Sequence, residues 1–238
     1  MARCTRNAGD GECAVSNDGA SIRGTVAAVA IAVIHSDIFM TKVICLTGGM
    51  ASGKSTGARF LREQGAHLID ADVLGHRTYE PGSPAHAQVV QTFGGDVLAA
   101  DGSIDRKTLG TKVFGQPAEL RKLTDIVWPA IRRLAEAEIA AVRAAGAPRV
   151  VVLEAAVLFE AGWQNLGDEI WVVVVEREVA IARAMQRDNM PRATAERRLD
   201  AQLSNAERTA RADVVIDNNG APEAMLEQLR RHWQRVSS

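Results

Sequence analysis

One run, LTGGMASGKST at residues 46–56, constrains this chain more than any other. It follows the apolar stretch KVICL and leads into GARFLREQG. Gly48-x-x-x-x-Gly53-Lys54-Ser55 is the complete phosphate-loop pattern, set between a strand and a helix as the motif requires. Such a loop wraps phosphate oxygens with main-chain N–H groups pointing inward. A Cβ at the tightest positions would block that approach or forbid the backbone angles. Gly48, Gly49 and Gly53 remove the obstacle, and the helix N-terminus that follows adds partial positive charge. Gly48, Gly49, Met50, Ala51, Ser52, Gly53, Lys54, Ser55 and Thr56 are therefore the expected nucleotide cradle. Lys54 suits the β- and γ-phosphates, the Ser55 hydroxyl a Mg²⁺ ion, and Thr56 the α-phosphate. The competing reading is a Gly-rich turn with an incidental lysine, and the strand and helix on either side weigh against it. The loop alone does not separate a kinase from a GTPase, an ATPase or a nucleotide-gated switch.

Short apolar runs alternate with helical stretches from Lys42 onward. KVICL, HLID, RVVVLEA, EIWVVVV and ADVVI read as five strands, and near-continuous apolarity predicts cover on both faces. Helices are expected over 54–64, 71–79, 84–93, 106–114, 177–188 and 192–203, with a last one from Pro222. Asp105 is a candidate cap, SNAE at 204–207 a capping box, and Pro117 and Pro129 each a first-turn residue of a further helix. Alternation of this kind implies an α/β fold, a parallel five-stranded sheet flanked by helices. The stretch from about 98 to 134 has helices and no strand, so it reads as a helical insertion beside the sheet.

The chain has 238 residues, 47% of them hydrophobic and 24% charged, with a formal net charge of -1. That balance gives no electrostatic reason to expect nucleic acid or an acidic membrane surface as partner. Three cysteines, Cys4, Cys13 and Cys45, have no zinc-type spacing and fit a reducing, cytoplasmic setting. Residues 1–39 lack helical or strand period and read as a disordered appendage or an upstream mis-assigned start, with Met40 opening the folded domain. The apolar run from Val26 to Ile34 is too short to span a bilayer.

The acceptor side begins at Asp70-Ala71-Asp72, which closes the second strand. Ligands of open α/β sheets gather at the carboxyl ends of strands, so both carboxylates are placed near the loop. Positions two apart on an extended chain face the same way. Asp72 is the expected proton acceptor; Asp70 reads equally well as a cap or as a functional acid. A GTPase would want a guanine-reading Asn-Lys-x-Asp, which the sequence lacks, and Asp72-Val-Leu-Gly75 matches the loose D-x-x-G only after the wrong strand. Seven arginines, 183, 187, 192, 197, 198, 208 and 211, crowd the segment before ADVVI. Most read as solvated helix-face charges. Arg187 is the first candidate to close over the γ-phosphate as part of a lid at about 187–203, and Arg208 the second.

CLTGGMASGKST, LIDAD, GSIDRKTLGTKVF, LTDIVWPAI, AAVLFEAGW, QRDN and ARADVVIDNNG occur in the order seen in dephospho-CoA kinases. The resemblance runs from about Lys42 to the C-terminal helix. It implies a P-loop kinase core, a helical acceptor-side domain and a lid, and transfer of the ATP γ-phosphate to the ribose 3′-hydroxyl of dephospho-CoA. Carried over, Asp72 resembles the family's proposed base and Arg187 its lid arginine. Asn218, Asn219 and Gly220 resemble the loop beside adenine, and Thr47, Asp72 and Arg106 fall on the substrate side. Many bacterial members have His-Pro where this chain has Trp128-Pro129, and a Pro-Leu-Leu run where it has Ala156-Val157-Leu158. Both variants are similar to the kinase half of the bifunctional CoA synthase. Trp128 cannot inherit a histidine's role; packing in the core is expected ahead of stacking on the acceptor. The rivals are another small-molecule P-loop kinase and a non-enzymatic nucleotide-dependent module.

Overall fold

The structure is a computed structural model and describes residues 41–238. The expectations for residues 1–39 and for Met40 lie outside the described residues. The five strands are β1 (Lys42–Gly48), β2 (His67–Asp70), β3 (Val150–Glu154), β4 (Glu169–Val174) and β5 (Val214–Asp217). They form one sheet in the order β2-β3-β1-β4-β5, every pair parallel. The sheet is thus the one the apolar runs predict.

Successive side chains of a strand face opposite layers, and here each face has its own core. Val43, Cys45, Ile69, Val151 and Leu153 pack on Leu74 of α2 (Ala71–Arg77) and on Val127, Ile131, Ala135 and Ile139 of α5 (Pro117–Ala145). Ile44, Leu46, Val152, Trp171 and Val173 pack on Ala58 and Leu61 of α1 (Lys54–Glu63) and on Met225 and Leu229 of α9 (Pro222–Ser237). Gly65, at φ 106, turns the chain out of α1 in a conformation that side chains resist.

Between β2 and β3 lie only helices: α2, α3 (Pro84–Phe93), α4 (Arg106–Val113) and α5, with a short 3-10 turn after α3. Val89, Phe93, Val97, Ile104, Leu109 and Val113 give this region a small core of its own. Asp105 caps α4, accepting from the Lys107 and Thr108 N–H groups. Pro129, however, does not open a helix; it sits inside the 29-residue α5. An interior proline costs about 3 kcal/mol. Val127 and Ile131, each 7% exposed, bring roughly 1.5–3 kcal/mol apiece by burial, which outweighs the lost hydrogen bond.

After β4 come α6 (Arg177–Asp188), α7 (Arg192–Asp200) and α8 (Asn205–Thr209). The helix expected to reach residue 203 stops at Asp200. Ser204 adopts extended angles to close the capping box with Glu207, so the chain must leave the helix before it. Among the described residues no helix is long and apolar enough to cross a membrane.

Candidate active site

Three strand ends converge here. In register, Leu46 of β1 and Asp70 of β2 both pair with Glu154, the last residue of β3. β1 runs directly into the phosphate loop, so the loop, the β2 carboxylates and Glu154 share one end of the sheet. A Cβ on Gly48 would stand 2.5 Å from Ser52 Oγ and 2.5 Å from the Val173 carbonyl oxygen. One on Gly53, at φ 97, would stand 2.3 Å from Asn218 Nδ2. These glycines are therefore obligatory on sterics alone. Ala51 holds φ 55, a left-handed angle that costs a non-glycine residue about 1–2 kcal/mol. Strain of this sort concentrates at ligand-binding loops.

Residues 51–56 line a cleft of about 390 Å³ together with Arg183, Gln186 and Arg187 of α6. A second cleft, about 550 Å³, is lined by Asp72, His76 and Tyr79, by Thr124 and Trp128 of α5, and by Ala156, Val157 and Trp163. Glu154 relates the two. Its Oε1 accepts from Ser55 Oγ at 2.5 Å, and Lys54, Asp70 and Asp72 all lie within its electrostatic reach. Burial raises the Glu154 pKa, with the neighbouring aspartates adding to the rise; the Ser55 hydrogen bond and Lys54 oppose it.

Each predicted residue has a definite place. Lys54 opens α1, half-buried, with Ser55 and Thr56 on the same first turn. Asp72 is exposed in the first turn of α2 and faces the second cleft. Asp70 is the α2 cap: its Oδ1 accepts from the Asp72 and Val73 N–H groups at 2.8 and 3.2 Å. The two carboxylates do not share a strand face, because the helix begins at Ala71. Arg187 is exposed on the first cleft and gives Nε and Nη2 to Asp188 at 2.7 and 2.8 Å. Arg208 is buried, 2% exposed, and does not line that cleft.

Asn218 is buried and donates from Nδ2 to the Ser52 carbonyl at 2.7 Å, bracing the loop. Asn219 accepts from the Glu176 N–H, and Gly220 is exposed with open space around it. None of the three lines the loop cleft. Thr47 is fully buried, its hydroxyl without a hydrogen-bond partner among the described residues. Arg106 is exposed at the start of α4, within electrostatic reach of Tyr79 in the second cleft. Trp128 packs against the α5 side of the core and also borders that cleft.

Two residues escaped the sequence reading. Glu154 was within its reach: a carboxylate ends an otherwise apolar strand, the same signal that singled out Asp70. Gln202 carried no signal. It lies in the turn after α7, and its Oε1 accepts the Met50 N–H at 2.9 Å across 152 residues of chain.

A family model described as dephospho-CoA kinase matches residues 42–223. The dephospho-CoA kinase of Geobacter sulfurreducens is 47% identical over 193 residues, covering 81% of this chain and 98% of that protein. That of Anaeromyxobacter dehalogenans is 46% identical over 184 residues, 77% of this chain and 87% of the other. Among solved structures, TT1252 from Thermus thermophilus superposes with a TM-score of 0.69 at 29% identity, covering 83% of this chain and 98% of its own. The dephospho-CoA kinase of Campylobacter jejuni gives 0.63 at 26% identity, with 82% and 96% covered.

Proposed function

Because this chain belongs to the dephospho-CoA kinase family, we propose that its two clefts take ATP and dephospho-CoA and that it moves the ATP γ-phosphoryl group to the acceptor's ribose 3′-hydroxyl. That transfer is the closing step of coenzyme A synthesis, and we place it in the cytoplasm. One arrangement carries the reading. Ser55 of the phosphate loop is hydrogen-bonded to Glu154, which lies within electrostatic reach of both Lys54 and Asp72.

Phosphoryl transfer leaves a protein little covalent chemistry to do; it positions the reactants and stabilises charge. The loop N–H groups of residues 51–56 and the α1 terminus hold the triphosphate. Lys54 meets the growing negative charge on the β- and γ-phosphate oxygens. The Ser55 hydroxyl and the Glu154 carboxylate are hard oxygen donors, and one carboxylate beside a phosphate loop suits Mg²⁺, which takes few protein ligands when it binds with phosphates. The ion, when bound with ATP, would supply charge neutralisation across the β- and γ-oxygens.

Asp72 orients the acceptor hydroxyl and takes its proton as the new oxygen–phosphorus bond forms. The bond from the γ-phosphorus to the β–γ bridging oxygen breaks, and ADP leaves with that electron pair. Arg187 swings from Asp188 onto the γ-phosphate as the segment around 187–203 closes, excluding water. Arg106 and the helical region around 98–134 meet the acceptor on the far side.

The decisive experiment is incubation with ATP, Mg²⁺ and dephospho-CoA, with coenzyme A sought by mass. A parallel panel of nucleoside monophosphates and sugars tests the rival kinase classes. Coenzyme A from dephospho-CoA alone is the expected outcome; ATP consumption with a panel member and none with dephospho-CoA refutes the assignment.

A further inference from the structure

Outside the proposed chemistry, several side chains meet at the second and third residues of the phosphate loop. The Met50 N–H donates to Gln202 Oε1 at 2.9 Å. The Met50 and Ala51 side chains pack into a small apolar cluster built by Ile181 and Ala184 of α6 and Ala195 of α7. Arg208 of α8 reaches the neighbouring loop residue: its Nη1 lies 3.4 Å from where a Cβ on Gly49 would stand, and Gln202 Oε1 lies at 3.6 Å.

The Arg208 guanidinium is also tied elsewhere. Nη1 donates to the Leu203 carbonyl, and Nη2 stands 3.6 Å from Glu160. Nε has no hydrogen-bond partner among the described residues. Arg211, three residues on, sits over the Phe159 ring at 5.4 Å. Phe159 and Glu160 follow Ala156 and Val157, which line the acceptor cleft. So one short segment, residues 202–211, grips the phosphate loop and also the loop that forms a wall of the acceptor cleft.

A buried guanidinium is costly unless its geometry is used well. A phosphate-loop N–H spent on a protein side chain needs a similar reason. Both make sense if the gain is fixed relative placement of donor and acceptor, where a misplacement of about 1 Å costs roughly 10²-fold in rate. We propose that Gln202 and Arg208 are positioning residues that lock the phosphate loop, the α6–α7 pair and the loop after β3 into one register. In that register the nucleotide and the acceptor are held in line. The identity of the acceptor rests on the function proposed above; the locking of the loop does not.

Two substitutions test it. Gln202→Met keeps length and bulk but offers Met50 no carbonyl. ATP binding, measured calorimetrically without acceptor, is expected to weaken about three- to tenfold because the ligand must then order a loop that Gln202 no longer holds, while the melting temperature of the ligand-free protein falls by only a few degrees, as for the loss of one neutral hydrogen bond. Arg208→Lys keeps the charge but cannot span Leu203, Glu160 and Gly49 together. Its kcat is expected to fall about 10²-fold while KM for ATP and for dephospho-CoA each stay within about threefold, because each cleft still binds. Wild-type ATP affinity in Gln202→Met overturns the proposal, as does wild-type kcat in a folded Arg208→Lys. Should Arg208→Lys fail to fold, the Gln202→Met titration decides alone. Absence of coenzyme A formation by the wild type would sink the assigned reaction and leave that titration meaningful.

Discussion

Gly48 and Gly49 stand side by side in the loop, yet alanine at the two should behave very differently. At Gly48 the added Cβ falls 2.5 Å from Ser52 Oγ and 2.5 Å from the Val173 carbonyl oxygen, about 0.9 Å inside the 3.4 Å of ordinary contact. Ser52 can rotate away. Val173 cannot, because its carbonyl belongs to β4, which is paired with β1 in register from Ile44 to Gly48. The displacement must therefore go into the loop. A shift of nearly 1 Å at a phosphoryl-transfer site costs roughly 10²-fold in rate, and overpacking costs about 1–3 kcal/mol of stability. For a chain of this size that lowers the melting temperature by roughly 2–4 °C per kcal/mol. At Gly49 the nearest atom is Arg208 Nη1 at 3.4 Å, an ordinary van der Waals contact, so nothing need move. Gly49→Ala should lose less than about tenfold, under about 1.4 kcal/mol of barrier. Steady-state rates by ADP release and thermal melts on both variants measure this. A Gly48→Ala protein that melts and turns over like the wild type, or a reversed order of the two, would refute the steric account of the loop.

Asp72→Asn should leave ATP affinity nearly intact and lower kcat by about 10²–10⁴-fold; equal rates would remove Asp72 from the proton transfer. Glu154→Gln should lower turnover and yet stabilise the ligand-free fold at neutral pH. Burial raises the Glu154 pKa, so the native state binds its proton more tightly than the unfolded chain, and stability falls as pH rises through that window. The melting-temperature advantage of Glu154→Gln should therefore grow as pH rises above the ordinary carboxylate value, and a constant offset would contradict it. Glu169 is the opposite case. Hydrogen bonds from Arg235 first, then Lys42 and Trp171, hold its pKa down to about 2. Its contribution is present above the ordinary carboxylate value and is lost as pH falls toward 2. Glu169→Gln should flatten the acid limb of a stability–pH curve recorded by urea titration, and an unchanged limb would show that the Arg235 pair contributes nothing.

Local patterns in the chain were readable because their causes are local. Five apolar runs became five strands, Asp105 and Ser204 became caps, and Gly65 ended α1 because only glycine relaxes at its φ. Pro129 misled for the converse reason. A proline rule counts one missing hydrogen bond, whereas the sheet that buries Val127 and Ile131 makes α5 continuous. Asp70 and Asp72 were separable only once the helix was seen to start between them. The brace that Asn218 supplies to the loop was not legible either. Its amide reaches the Ser52 carbonyl from 166 residues away, a pairing no spacing reveals.

The phosphate loop, the alternating α/β order and the family are all legible in the order of the residues alone. Glycine placement, apolar period and motif order are properties of neighbouring residues, and each follows from backbone sterics or burial. Which groups act together is set by the folded arrangement. Glu154 meets Ser55, Gln202 meets Met50 and Arg208 meets Gly49 because parallel strands bring remote segments to one end of the sheet. Electrostatic and hydrogen-bond energies depend on those distances through space, and separation along the chain does not encode them.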